Sequence, residues 1–222
     1  MYVSFVVKEN IMNRWLIKST TRSGSHLIYN LLVSSGLKGY HVTSNDNLFD
    51  KNSLWLDQII IDEKIIPTQS NIVLHDHTSW LPEDTKKWNL VYTKRKDQIA
   101  QTISSYFAGA VNEYVLEGNR KYTNKKIEPF SISPGKILSH HKKRLAYENK
   151  LNSLVVNNKW KTNTTYYYED LVKLSPDKVA SSLNITYDKH ICNWAEQKNP
   201  RVIKDYIKNY DKINMLLRQS FG

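Results

Sequence analysis

The chain has 222 residues, of which 40% are hydrophobic and 24% are charged. Its 32 Lys and Arg against 21 Asp and Glu give a net charge of +11, which favours an anionic partner such as a nucleotide, a sulfated compound, nucleic acid or a membrane surface. The single cysteine excludes an intramolecular disulfide framework, and no stretch approaches the ~20 apolar residues of a membrane span. The first apolar run is too short for a secretory signal. We therefore expect one domain over residues 1–222, located in the cytoplasm.

Short apolar or aromatic runs, each followed by polar residues and a helical pattern, recur along the chain. They predict strands at 14–18, 71–76, 89–94 and 164–169. The helical patterns predict helices at about 25–35, 54–64, 97–117 and 203–219, with two more beginning at the Ser-Pro pairs 133–134 and 175–176. This alternation predicts an α/β fold: a single-domain, three-layer architecture with a central, mainly parallel sheet flanked by helices.

The loop after the first predicted strand combines hydroxyls, an arginine and a glycine immediately before a helical pattern. Its sequence is STTRSGSHLIYNLL, residues 19–32. A strand, a short polar turn and a helix N-terminus together bind phosphate through backbone N–H groups and the helix dipole. The kinase-type loop G-x-x-x-x-G-K-[ST] is absent, because only Gly24 is present and Arg22 stands before it. The pattern therefore predicts a P-loop-like loop for an anion other than a magnesium-bound triphosphate.

Two later strand ends carry further polar and basic groups. The stretch NLVYTKRKDQIAQTISS runs from a buried strand into Arg95 and Lys96, and Ser104 follows on the next predicted helix. Cations are unfavourable at a helix N-terminus, so a bound anion would explain them. The stretch TTYYYEDL ends a later strand with Tyr168 and two carboxylates. Because the C-terminal ends of parallel strands share one edge of a sheet, we expect the basic run to lie beside the first loop.

The segments TTRSGSHL, KRKDQIAQTIS and YEDL, in this order, resemble the sulfotransferases that use 3′-phosphoadenosine 5′-phosphosulfate (PAPS). The similarity is closest to the bacterial carbohydrate (trehalose-type) branch, whose first region is similar to T-P-R-S-G-S-T-L and whose second is similar to R-R-D-x-x-x-Q-A-x-S. The matching residues are Arg22, Ser23, Gly24, Ser25, Arg95, Asp97, Gln101 and Ser104. The resemblance implies transfer of a sulfuryl group from PAPS to an acceptor hydroxyl, a reaction that needs no metal ion.

The resemblance also implies roles for the residues of the first loop. Arg22, Ser23, Gly24, Ser25 and His26 would bind the 5′-phosphosulfate of PAPS. Arg22 would in addition stabilise the leaving phosphate, a task that many relatives give to a lysine at this position. His26 stands where relatives often have a second hydroxyl in contact with the phosphosulfate.

The remaining contacts to the nucleotide would come from the second and third segments. Arg95 and Ser104 would bind the 3′-phosphate. In the commonest family pattern the basic residue stands eight positions before that serine, which here is Lys96, so Lys96 remains an alternative to Arg95. Tyr168 of YEDL would lie near the adenine, as in the cytosolic relatives.

The reaction also needs a His or carboxylate that takes the proton of the acceptor hydroxyl. The segment NIVLHDHTSWLP is similar to K-T-H-L-P of the cytosolic relatives, and that alignment makes His77 the base. Carbohydrate-branch enzymes instead use a Glu after the first helix. The same count here falls at or near Thr43, so His41 is the reserve candidate. His75 and His77 also suggest a metal site, but the sequence offers no third ligand at a suitable spacing, and we expect no metal.

These observations favour a sulfotransferase whose acceptor is a saccharide or a small metabolite. A P-loop-type nucleotide or small-molecule kinase is an alternative, but it needs a Lys and a Mg²⁺-binding hydroxyl in the first loop. A non-catalytic, basic nucleic-acid-binding protein is another, and it needs its charges on one face; we expect no nucleic-acid partner. Acceptor specificity would lie in residues 37–70 and 112–135, with 118–133 as a basic lid. The sequence does not indicate the oligomeric state.

Overall fold

Five short strands and six helices make up the part of the chain that the structure, a computed structural model, describes: residues 13–42, 71–77, 79–111, 127–192, 194 and 202–222. The strands are Arg14–Ser19 (β1), Lys38–Val42 (β2), Ile72–Asp76 (β3), Asn89–Lys94 (β4) and Thr162–Tyr167 (β5). The helices are Ser25–Ser34 (α1), Gln98–Val111 (α2), Pro134–Asn157 (α3), Tyr168–Leu171 (α4), Pro176–Leu183 (α5) and Tyr210–Phe221 (α6). Two 3-10 helices span Thr85–Lys87 and Ile203–Tyr206.

The five strands pair in parallel, in the order β2-β3-β1-β4-β5. β1 is therefore central, and its Leu16 lies opposite Leu74 of β3 and Leu90 of β4. A central parallel strand has neighbours at both edges and helices on both faces. Every residue of β1 is accordingly buried, including Arg14 and Lys18.

The side chains of β1 alternate between two cores. Trp15 and Ile17 pack in the core that includes Ile28 of α1 and Leu183 of α5. Leu16 packs in the opposite core, with Leu151 of α3. Complete burial of each such aliphatic side chain contributes about 1.5–3 kcal/mol to the free energy of unfolding. Because helices cover both faces of one parallel sheet, the predicted three-layer α/β architecture is confirmed.

Two glycines set the ends of α1. Gly24 precedes the helix with a φ of 80°, and Gly36 follows it with a φ of 89°. Both values lie in the left-handed region, which glycine adopts without steric penalty. The N–H of Gly36 donates to the carbonyl of Val33 at 3.0 Å and closes the last turn. The predicted stop at Gly36 is confirmed.

Two strands differ from the sequence prediction. The sequence pattern does not predict β2, because this edge strand is short and contains Gly39 between polar and apolar residues. The strand predicted at 164–169 begins at Thr162 and ends at Tyr167, and YEDL forms α4 instead. The boundary between β5 and α4 falls inside the run of three tyrosines, 166–168, so the aromatic pattern does not show where the strand ends.

The last predicted helix, 203–219, is divided in the structure. A 3-10 helix, Ile203–Tyr206, is followed by Ile207, which forms an isolated parallel bridge with Phe130. This bridge requires extended backbone at Ile207, so the helix restarts only at Tyr210. The predicted helix 54–64 lies outside the described residues.

The connections after β1 and β4 leave the sheet on opposite faces. α1 follows β1 and packs in one core, whereas α3, on the path from β4 to β5, packs in the other. In open parallel sheets, ligands bind outside the C-terminal ends of the strands where neighbouring connections diverge in this way. Because β1 and β4 are adjacent, the crevice lies between the loops that follow them.

Candidate functional site

The loop 20–24, between β1 and α1, has the backbone of an anion-binding turn. Arg22 has a φ of 64° and Gly24 a φ of 80°, both left-handed. A Cβ on Gly24 would lie 2.8 Å from Cδ2 of Tyr168, so a larger residue does not fit there. Gly24 is the N-cap of α1 and offers no side chain to the helix's first N–H groups. These N–H groups and the helix dipole suit a bound anion at the C-terminal edge of the sheet.

Side-chain hydroxyls inside the protein hold this loop in place. Ser23 Oγ donates to the carbonyl of Thr20 at 2.7 Å and lies 2.8 Å from Thr93 Oγ1. Ser25 Oγ lies 2.8 Å from His75 Nε2. Both serines are buried, and their hydroxyls are engaged within the protein. If Ser23 and Ser25 contact a phosphosulfate as the sequence predicts, their backbone N–H groups are better placed to do so than their hydroxyls.

The structure brings Ser104 against Arg22. The Nε of Arg22 donates to Ser104 Oγ at 3.1 Å, and next to this pair Thr21 Oγ1 lies 3.2 Å from Ser105 Oγ. The sequence assigns Arg22 to the 5′-phosphosulfate and Ser104 to the 3′-phosphate. The two predicted phosphate sites therefore meet at the start of the crevice rather than lying apart.

Arg95, Tyr168 and Glu169 form a second cluster beside the loop. The Arg95 guanidinium lies 4.4 Å above the centre of the Tyr168 ring, and its Nε donates to Glu169 Oε1 at 3.2 Å. The backbone N–H of Lys96 donates to Glu169 Oε2 at 2.9 Å. Although partial burial alone would raise the pKa of Glu169, the hydrogen bonds from Lys96 and neighbouring groups hold it below its usual value.

These carboxylates change one of the sequence arguments. Lys96 Nζ lies 2.7 Å from Asp170 Oδ1, so both basic residues at the start of α2 have an acidic partner on α4. The positive charge at this helix N-terminus is thus compensated in part by the protein itself. An anionic ligand is compatible with the cluster, but the charges alone no longer require one.

His77 directly follows β3 and lies beside Ser19, the last residue of β1. Its Nδ1 lies 3.1 Å from the carbonyl oxygen of Ser19 and 3.0 Å from Ser19 Oγ. A carbonyl only accepts, so Nδ1 carries the proton and the lone pair of the neutral ring is on Nε2. Burial lowers the pKa of His77 below its ordinary value of 6.5, which favours this neutral form.

Neighbouring side chains fix the backbone on which His77 stands. The Tyr147 hydroxyl donates to the carbonyl of His77. Lys18 of β1 pairs with Asp76, the residue before His77, and donates to the carbonyl of Trp80. Burial lowers the pKa of Lys18, and the Asp76 carboxylate opposes this shift. His77 therefore stands on an anchored strand end, as a base positioned for catalysis requires.

Gln101 and Arg144 support the loop, and the sequence interpretation gave neither a role of this kind. Gln101 Nε2 donates to Thr20 Oγ1 and to the carbonyl of Thr21, both at 2.7 Å. Arg144 Nη1 donates to Gln101 Oε1 at 2.7 Å and to Glu148 Oε2 at 2.9 Å. The sequence contains a signal for part of this network, since Arg144 and Glu148 occupy the buried stripe of α3 at a spacing of four.

The other candidates are placed as follows. His26 is on the first turn of α1, and its ring centre lies 4.6 Å from that of His75. His41 is on β2 and pairs in register with His75. Thr43 lies outside the described residues, as do 118–126 of the predicted lid.

Comparison with known proteins gives similarity to solved structures and not to sequences. No protein-family model matches the sequence, and no curated protein matches it. A crystal structure of retinol dehydratase, in complex with androsterone and the inactive cofactor PAP, is similar over 92% of this chain, with 12% sequence identity and a TM-score of 0.47. The chain covers 66% of that protein, which is less than two thirds of its length. Similarity at this level carries no inference about activity.

Within the described residues, none of the helices combines the length and the apolar character needed to cross a bilayer.

Proposed function

We propose that this chain is a sulfotransferase that moves the sulfuryl group of PAPS to a hydroxyl of an acceptor. The observation that carries the proposal is the loop between β1 and α1. Its left-handed residues, Arg22 and Gly24, precede an uncapped helix N-terminus at the crevice where connections diverge. It presents an arginine and lacks the lysine that a kinase loop carries. Such a site suits a nucleotide phosphate that is bound without magnesium.

In the proposed reaction, the acceptor oxygen forms a bond to sulfur while the bond between sulfur and the 5′-phosphate oxygen breaks. His77 Nε2, which carries the lone pair, takes the proton of the acceptor hydroxyl. Arg22 and the N–H groups of residues 23–26 stabilise the charge that develops on the leaving phosphate. Adenosine 3′,5′-bisphosphate is then the product, and every atom of the donor is accounted for.

The second cluster would hold the rest of the nucleotide. Arg95, or Lys96 in its place, would bind the 3′-phosphate together with Ser104. Tyr168 would contact the adenine, since its ring adjoins both Gly24 and Arg95. Binding of the 3′-phosphate would compete with Glu169 for the Arg95 guanidinium. We place this activity in one cytoplasmic domain and propose a saccharide or a small metabolite as the acceptor.

A ligand panel tests the proposal. Adenosine 3′,5′-bisphosphate in EDTA should raise the melting temperature, and a free concentration of 100 times Kd would stabilise the chain by about 2.7 kcal/mol. Mg-ATP, GTP and an oligonucleotide should have smaller effects. Radiosulfur-labelled PAPS, incubated with saccharides, phenols and sterols in turn, then identifies the acceptor class. Stabilisation by Mg-ATP with no response to the bisphosphate would favour the kinase hypothesis, and stabilisation by the oligonucleotide alone would favour nucleic-acid binding.

A further inference from the structure

Three histidine rings meet at the C-terminal edge of the sheet. The ring centres of His75 and His77 are 4.4 Å apart, and those of His26 and His75 are 4.6 Å apart. One ring nitrogen from each residue can be chosen so that the three atoms lie within 4.8 Å of one another. The sequence could not reveal this cluster, because His26 is about fifty positions away from the other two.

The fold explains how these rings meet. His75 is on β3, and His77 follows two residues later, so their side chains leave the chain on the same side. Asp76 between them points to the other side, where it pairs with Lys18. His26 reaches the rings from the first turn of α1, and Ser25 beside it bonds to His75.

The hydrogen bonding of His77 suits a metal ligand. Metal ions bind imidazole through a ring nitrogen that carries no proton. Its Nδ1–H is held by the Ser19 carbonyl, which leaves Nε2 as the donor atom. Metal-bound histidines characteristically donate their second N–H to a carbonyl or a carboxylate in this way. The nearby Lys18 charge is paired with Asp76, so it does not present an isolated cation to an incoming ion.

We propose that His26, His75 and His77 bind one divalent ion of the late first-row transition metals, for which zinc is the representative. Zinc is bound by imidazole nitrogen at about 2.0–2.1 Å in tetrahedral geometry, so ligand nitrogens lie about 3.3 Å apart. In the metal-bound form, rotation of the side chains would bring the ring nitrogens, now within 4.8 Å of one another, to that spacing. Three imidazoles leave a fourth position for water or another ligand. Magnesium and calcium prefer oxygen ligands and should not bind here.

This site has one consequence that rests on the proposed function. The ion would occupy Nε2 of His77, the atom that would accept the acceptor's proton. Zinc would therefore inhibit sulfuryl transfer reversibly, and a chelator would restore it. Binding of zinc itself does not depend on whether the chain transfers sulfate.

Competition with a chromophoric chelator measures the proposed binding directly. The full chain, at pH 7.5 and without phosphate, should take up one zinc ion, and excess Mg²⁺ should not displace it. His26→Gln and His77→Ala should each weaken zinc binding by at least about tenfold, since loss of even an outer-shell partner costs 10–100-fold. His190→Ala is the matched control, because His190 is exposed and outside the cluster, and it should bind zinc as the wild type does.

Two controls keep the result unambiguous. Circular dichroism melting shows whether each variant is folded, and His26→Gln is preferred over a change at the fully buried His75 for that reason. Co²⁺ in place of zinc should give the strong visible absorption of a four-coordinate ion, and folded His26→Gln should lose it. A wild-type chain that binds no zinc, or folded cluster variants that bind it as tightly as His190→Ala, would overturn the proposal.

Discussion

A single residue, Ser19, holds the His77 imidazole through two of its oxygen atoms. This contact fixes the tautomer and directs the basic nitrogen, Nε2, away from β1. A neutral, oriented imidazole is what general-base catalysis needs at neutral pH. Asp76 cannot take over this role, since its carboxylate is buried against Lys18.

His77→Ala should lower turnover by about 10²–10⁴-fold, the usual contribution of a general base. The acceptor is the one found by the radiosulfur screen. Affinity for adenosine 3′,5′-bisphosphate should be nearly unchanged, because the base contacts the acceptor and not the nucleotide. His190→Ala serves as the control. Near-wild-type turnover in His77→Ala, together with its loss in His41→Ala, would show that the base is His41.

The acidic limb of the pH profile should lie below pH 6.5. The base acts in its neutral form, and burial lowers the pKa of His77 from 6.5, so activity should persist as the pH falls through the ordinary histidine range. The same shift makes folding less favourable at low pH, because the unfolded chain binds a proton there that the folded chain excludes. The measurement is kcat/KM against pH in the wild type. A limb centred at or above 6.5 contradicts the assignment.

Arg95→Ala should weaken the binding of a nucleotide that carries a 3′-phosphate and leave the binding of one without it unchanged. Loss of a charged hydrogen bond costs about 1.5–3 kcal/mol, so the bisphosphate should bind roughly 10- to 150-fold more weakly. Adenosine 5′-phosphosulfate lacks the 3′-phosphate and should bind as before. Lys96→Ala is the paired variant, measured with both ligands by calorimetry. An equal loss of affinity for both ligands would show that Arg95 does not bind the 3′-phosphate. A loss of affinity for the bisphosphate alone in Lys96→Ala would show that Lys96 binds it instead.

At the scale of elements, the junction of β1 and α1 depends on Gly24. Its φ of 80° costs an L-residue about 1–2 kcal/mol, and a Cβ would meet the Tyr168 ring at 2.8 Å. Gly24→Ala should therefore lower the free energy of unfolding by more than about 1 kcal/mol, measured by urea denaturation. Gly135→Ala is the control, because Gly135 lies on α3 with open space around its Cα. This substitution should raise the free energy of unfolding by about 0.5–1 kcal/mol. Equal effects in the two variants would contradict this view of the loop.

The sequence predicted the elements whose patterns are local. β1, β4 and α1 have nearly their predicted bounds, since apolar runs, a polar turn and Gly36 mark them without any tertiary information. β2 depends on pairing with β3, which a local pattern does not contain. β5 ends at Tyr167, where α4 begins, and Glu169 of α4 accepts a hydrogen bond from the backbone N–H of Lys96, a long-range contact that the local pattern does not contain either.

The candidate site was predictable in its residue types and less so in its contacts. Motif spacing led to Arg22, Ser104, Arg95 and Tyr168, and all four lie at one edge of the sheet. It did not show that Arg22 bonds Ser104, or that Glu169 neutralises Arg95, because these contacts join segments more than seventy residues apart. The contact between His26 and His75 also joins distant segments, so motif spacing did not show it either.

For the whole molecule, the net charge of +11 does not by itself identify a partner. Several cations at the site edge are already paired: Lys18 with Asp76, Arg95 with Glu169 and Lys96 with Asp170. We therefore propose that a ligand there is recognised by the loop's N–H groups and by Arg22, in addition to general electrostatic attraction. Such recognition would distinguish a nucleotide site from a diffuse basic surface, whose affinity falls steeply with salt.

The most direct test is the Kd for adenosine 3′,5′-bisphosphate, measured by calorimetry in EDTA on the wild type and on Arg22→Ala. We predict one site in the wild type, and binding weaker by about 1.5–3 kcal/mol in Arg22→Ala, the cost of losing a charged hydrogen bond. Lys150→Ala, on the exposed surface of α3, should bind like the wild type. Absence of binding to the wild type, or an equal Kd in Arg22→Ala, would contradict the proposal that this loop holds the nucleotide.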